Sequence, residues 1–149
     1  MENKNLNEVE ILLVEDNPAD VELTLRAFKR DNLNNNIFVV KDGEEALEFI
    51  FSTGRYAARD TKVLLKVILL DLELPKISGL EVLAKIKSDD QTKTIPVVIV
   101  TSSSDDNNLK EAYKLGVNSY IIKPVEFEKF VQAIGEAGKY WLSYNKIPK

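Results

Sequence analysis

What most constrains this chain is an alternation. Short apolar runs rich in β-branched residues recur along it, and a stretch with helical spacing lies between each run and the next. Parallel strands need a long crossover, which a helix usually supplies, so this alternation predicts a parallel sheet wrapped by helices. The predicted strands are Ile11 to Val14, Ile37 to Val40, Val67 to Leu70, Val97 to Val100 and Tyr120 to Ile122. Three of these are almost continuously apolar, as expected for strands covered on both faces. Asn17-Pro18 supplies a cap and a first-turn proline for the first helix, whose stripe is Val21, Leu25 and Phe28. A second helix is predicted from Glu44 to about Ser52, and a third from near Gly79 with Leu80, Leu83 and Ala84 on one face. The Ser/Asp cluster at Ser103 to Asp106 caps a fourth, which carries Leu109, Ala112 and Tyr113 and stops at Gly116. A fifth follows Pro124 with Phe127, Phe130, Val131 and Ile134. The segment from Thr53 to Lys66 reads as a surface loop. The fold class is α/β, a doubly wound five-stranded parallel sheet flanked by five helices.

In such sheets the functional crevice lies outside the carboxyl ends of the strands. Strand one ends in Glu15-Asp16, and strand three in Asp71, followed by Leu72-Glu73-Leu74-Pro75. Strand four ends in Thr101-Ser102, and strand five near Lys123-Pro124. Each residue alone has an ordinary alternative, as a turn residue, a helix cap or a solvated lysine. Jointly the ordinary readings weaken, because clustered carboxylates repel one another unless a cation or a proton relieves them.

Two absences narrow the chemistry. The chain has no His and no Cys, which removes histidine acid/base catalysis, cysteine nucleophiles and disulfides. Zinc is nearly excluded with them, so any metal must be held by oxygen, which points to Mg²⁺, Mn²⁺ or Ca²⁺. Asp16 and Asp71 suit a hard cation, with Glu15 binding directly or through water. Phosphoryl transfer mainly needs positioning and charge neutralisation, and a carboxylate is an adequate nucleophile without a general base. Asp71 would then be the acceptor, Lys123 would neutralise the phosphoryl oxygens and Thr101 would donate a hydrogen bond to one. A net charge of −4 speaks against nucleic-acid binding. No apolar run approaches the ~20 residues of a membrane helix, and the polar start is not a secretory signal, so a cytoplasmic protein is expected.

The segments VEILLVEDNPAD, VILLDLELPKISGLEVL, VVIVTSSS and YIIKP together resemble the receiver domains of two-component response regulators, over roughly Val9 to Ala137. The resemblance implies a flavodoxin-like fold and a Mg²⁺-dependent phosphoryl group taken from a sensor histidine kinase or phosphotransfer protein. It makes Glu15 and Asp16 the acidic pair, Asp71 the phosphoacceptor, Thr101 the switch hydroxyl and Lys123 the family's lysine. Glu73 falls at the position whose backbone carbonyl completes the metal shell. Tyr120 falls on the aromatic that turns inward on activation, and Pro124 on a proline that often follows a cis peptide bond. NPAD, the loop around Gly54-Arg55-Tyr56 and the aromatic tail are similar to stand-alone receivers that partner cyanobacterial phytochromes. Glu73 and the Ser102-Ser103 pair depart from the common pattern and bear on the lifetime of the phosphoryl group.

One receiver domain is expected, with a core over about 9–137, an aromatic tail over about 138–149 and no output domain. It would act as a signalling switch rather than as an enzyme. The alternatives are a Mg²⁺-dependent aspartyl-phosphate phosphatase, which typically has Asp where this chain has Glu73, and a phosphorylation-independent adaptor. Tyr140, Trp141 and Tyr144 exceed what a five-stranded core needs, and Gly135 and Gly138 weaken the helix before them. A homodimer built on the last helix and tail is therefore expected, against the alternative that the tail packs back on the domain.

Overall fold

The computed structural model describes residues 5–33, 36–60, 65–123 and 126–148. Five strands, β1 (Ile11–Val14), β2 (Ile37–Val40), β3 (Val67–Leu70), β4 (Val97–Thr101) and β5 (Ser119–Ile122), form one parallel sheet in the order β2-β1-β3-β4-β5. The helices between and after them are α1 (Pro18–Arg30), α2 (Gly43–Phe51), α3 (Gly79–Ser88), α4 (Asp106–Leu115) and α5 (Phe127–Lys139).

Strand periodicity divides the core in two. Leu12, Val14, Ile68, Leu70, Val97 and Ile99 face one side, where they pack with Ala46, Phe49 and Ile50 of α2, Val82, Leu83 and Ile86 of α3, and Ala112 of α4. Ile11, Leu13, Val67, Leu69, Val98 and Val100 face the other, against Ala27 and Phe28 of α1 and Phe130, Val131 and Ile134 of α5. β1, β3 and β4 are buried along their whole length, which explains their lack of polar alternation.

The element ends follow local chemistry. Asn17 caps α1 by accepting from the Ala19 and Asp20 amides, Asp42 caps α2 through the Glu45 amide, and Asp105 caps α4 through the Asn107 amide. The cap at Asp42 starts α2 one residue before Glu44, and Ser52 ends it in the left-handed region. Gly116, at φ 102°, stops α4.

Three expectations change. The segment after Thr53 is not simply solvated: a 3₁₀ turn at Gly54–Tyr56 lays Tyr56 edge-on to Phe38 and Phe49. Arg59 is buried, its guanidinium 4.5 Å from the Phe49 ring centroid and bonded to the Phe49 carbonyl. Gly135 and Gly138 do not interrupt the last helix: α5 runs through both to Lys139. A Cβ at 135 would lie 2.1 Å from Asp31 Oδ2, and one at 138 would lie 2.3 Å from the Phe28 ring, so these glycines let α5 approach α1. The tail then turns once as a π-helix over Tyr140–Tyr144. Trp141 and Leu142 pack back on the core beside α1 and α5, whereas Tyr140 and Tyr144 stay 50% and 70% exposed. Pro124, where a cis bond is expected, lies outside the described residues.

Candidate functional site

The carboxyl edge of the sheet gathers the charged residues through backbone constraints. The Glu15 amide donates to the Val40 carbonyl and the Asp71 amide to the Val14 carbonyl, so ladder bonds fix both residues just past their strand ends. The Lys123 amide donates to the Thr101 carbonyl at 2.7 Å, which ties the end of β5 to the end of β4. Behind Asp71 the chain doubles back so closely that a Cβ at Gly79 would lie 2.3 Å from the Asp71 carbonyl oxygen. Glycine at the start of α3 is therefore a condition for the shape of the loop that follows Asp71.

At the centre is the ammonium of Lys123. Its Nζ lies 2.7 Å from Glu15 Oε1, 2.7 Å from Asp20 Oδ2 and 3.0 Å from Asp71 Oδ2. Glu15 and Asp71 are buried, and Asp71 Oδ1 accepts from the Glu73 amide at 3.1 Å. One cation thus serves three carboxylates. Burial pushes the Glu15 carboxyl up; the Lys123 bond opposes this, the Asp71 charge adds to it, and the result is about 7. Burial pulls the Lys123 ammonium down, but its bonds to Asp20, Glu15 and Asp71 outweigh that and raise it. The two outcomes are consistent, since Lys123 draws on three anions while Glu15 has a third share of one cation.

The other expected residues surround this centre. Asp16 and Glu73 have exposed side chains at the rim. Thr101 is fully buried, and its hydroxyl oxygen accepts from the Ser103 amide at 3.3 Å. The half-buried Tyr120 donates its hydroxyl proton to the Ser103 carbonyl at 3.2 Å, so Ser103 links the Thr101 hydroxyl to the aromatic on β5. Burial raises the Tyr120 phenol, which remains a donor.

Sequence reading missed Asp20. Among the described residues, Glu15, Asp20 and Asp71 form the acidic trio whose carboxylate oxygens lie within 4.8 Å of one another; Asp16 and Glu73 are not part of it. A signal was available: Asn17-Pro18 starts α1 directly behind the acidic pair, so the first turn of that helix must border the site. The donors are all oxygen, three carboxyl groups against one ammonium, which suits a hard divalent cation.

Comparison with known proteins finds clear relatives over nearly the whole chain. The family model described as the response regulator receiver domain matches residues 11–135. The chain is 42% identical over 138 residues to the probable methanogenesis regulatory protein FilR2 of Methanothrix harundinacea, covering 93% of this chain and 86% of that protein. It is 34% identical to the response regulator Rcp1 of Synechocystis, over 93% of this chain and 92% of that one. The Mn(2+)-bound form of Rcp1 superimposes with a TM-score of 0.85, over 93% of this chain and 98% of that one. The phosphorylated cyanobacterial phytochrome response regulator RcpA also gives 0.85, at 38% identity, over 93% of this chain and 97% of that one.

Proposed function

This chain belongs to the response regulator receiver family, whose general role is to accept a phosphoryl group from a kinase, and we propose that Asp71 is its acceptor. The observation that carries this is the contact of 3.0 Å between Lys123 Nζ and Asp71 Oδ2 at the end of the central strand. An Asp71 carboxylate oxygen attacks the phosphorus of a phosphohistidine on a sensor kinase or phosphotransfer protein. A P–O bond forms and the P–N bond breaks, with its electron pair leaving on the imidazole nitrogen. Lys123 meets the transferred oxygens, and Thr101, whose oxygen accepts from the Ser103 amide, donates its hydroxyl proton to one of them. Asp16, Asp71 and Glu15, with the carbonyl of Glu73, would hold a Mg²⁺, which would supply further charge neutralisation. Phosphate-affinity gel mobility after acetyl phosphate with Mg²⁺ tests the assignment. Wild type shifts, and Asp71→Asn does not; a shifted Asp71→Asn overturns it. A protein that never shifts is the phosphorylation-independent adaptor, and turnover of phosphorylated metabolites would mark a phosphatase.

The chain works as one receiver with a short aromatic tail, in the cytoplasm and without contacting nucleic acid directly. Tyr140 and Tyr144 support a symmetric homodimer, because they are exposed while Trp141 is largely used by the chain's own core. Sedimentation at micromolar concentration should find a dimer for wild type and a monomer for Tyr140→Ser with Tyr144→Ser. A monomeric wild type, with and without phosphodonor, leaves the tail as ordinary packing. No described helix is long and apolar enough to cross a membrane.

A further inference from the structure

An ammonium has three protons to donate, and in this structure Lys123 has committed all three, to Glu15, Asp20 and Asp71. A phosphoryl oxygen can therefore bind Lys123 only if one carboxylate gives up its share. Asp71 is the one that must yield, because its carboxylate loses its negative charge when it becomes an acyl phosphate. The two remaining bonds, to Glu15 on β1's end and Asp20 on α1, then decide where the ammonium stays. Asp20 is well placed to hold it. It sits in the first turn of α1, where its own amide is capped by Asn17 Oδ1 and its carbonyl accepts from the Thr24 hydroxyl. Its side chain is 27% exposed, so it meets Lys123 from the solvent side while Glu15 meets it from within.

We propose that Asp20 is a positioning residue, which anchors the Lys123 ammonium so that it swings from Asp71 to the incoming phosphoryl group rather than drifting into solvent. This rests on Asp71 being the acceptor, and it assigns a role to a residue outside the acceptor, the acidic pair, the hydroxyl and the lysine. Two rival roles make opposite forecasts. If Asp20 mainly repels the anionic donor, removing its charge speeds phosphorylation. If it only favours the positive end of α1, removing it lowers stability and leaves the rate alone.

The test is the rate of Asp71 labelling by phosphoramidate with saturating Mg²⁺, for wild type, Asp20→Asn, Lys123→Ala and the double variant. Asp20→Asn should slow labelling roughly tenfold, the scale of losing one charge-assisted hydrogen bond near the reacting group. In the Lys123→Ala background the same substitution should change nothing further, since an anchor without its lysine has no work to do. Faster labelling, an unchanged rate, or an equal slowing in both backgrounds each overturns the proposal. Wild type that takes no label at Asp71 is a failure of the acceptor assignment itself, and the two failures are thereby told apart.

Discussion

Two half-buried lysines stand at opposite ends of the sheet, each with all its protons committed, and they differ in what accepts them. At the carboxyl edge Lys123 binds three carboxylates. At the amino edge Lys87, in the last turn of α3, donates to the Lys93 carbonyl at 3.1 Å, the Ile95 carbonyl at 2.8 Å and Asn118 Oδ1 at 2.9 Å. Asn118 Oδ1 also accepts from the Val97 amide, so Lys87 helps set the start of β4 and β5. Burial lowers the Lys87 ammonium with only neutral dipoles to oppose it, whereas the carboxylates around Lys123 outweigh burial and raise it. The same side chain thus closes the backbone at one end and carries charge at the other. An end built only for stability has no reason to collect more anions than cations.

The contrast is broken most directly at the charged end. Asp16→Ala should abolish divalent-ion binding by calorimetry while its unfolding midpoint holds or rises, because the side chain is exposed and its removal relieves crowded charge. Undiminished affinity would mean that Glu15, Asp20 and Asp71 bind the ion without it. Lys123→Ala should still take a phosphoryl group, roughly a hundredfold more slowly, the usual cost of losing one preorganised positive group at developing charge. It should also fail to show the phosphorylation-dependent dimerisation or kinase release of wild type, since the direct contact between β5's end and Asp71 is then gone. Lys87→Ala sharpens the comparison from the far side. It should cost about 1–3 kcal/mol in chemical denaturation by leaving oxygens unpaired, with Asp71 labelling unchanged. Labelling that falls with stability would show that the two ends are not separable.

The two ends also differed in how well they could be read. Strand positions came within one residue, since β1, β3 and β4 are apolar throughout and Asn17 and the cluster holding Asp105 mark where helices begin. Glu15, Asp71 and Lys123 were legible because strand ends in a doubly wound sheet have a fixed address. Asp20 was harder to read: the start of α1 behind the acidic pair brings its first turn to the site, but helical spacing alone does not say which side chain of that turn enters it. Gly135 and Gly138 misled for a related reason: propensity treats glycine as a weak point, while tertiary packing uses the missing Cβ to bring Asp31 and Phe28 close. Lys87 gave no signal in sequence at all, since its acceptors are backbone carbonyls and one amide oxygen.

The most gradual expected effect is a slope of stability with pH that belongs to one end only. Burial and the Asp71 charge hold the Glu15 carboxyl near 7, against an ordinary value of 4.5. Between those values the folded protein keeps a proton that the unfolded chain has released. The stabilisation is therefore complete below 4.5 and lost as pH rises towards 7, with a slope of at most about 1.4 kcal/mol per pH unit. Lys87 has the opposite sign in a different window: its lowered ammonium adds stability as pH rises through its folded value towards 10.5. Denaturation of the metal-free protein between pH 4.5 and 7 should thus show declining stability. Glu15→Gln should flatten that decline, and Lys87→Met should leave it as it is. Saturating Mg²⁺ should then reverse the slope, because a cation needs deprotonated carboxylates and its stabilising effect grows as they ionise. A slope that survives Glu15→Gln would place the titrating group elsewhere, and one that disappears in Lys87→Met would place it at the wrong end of the sheet.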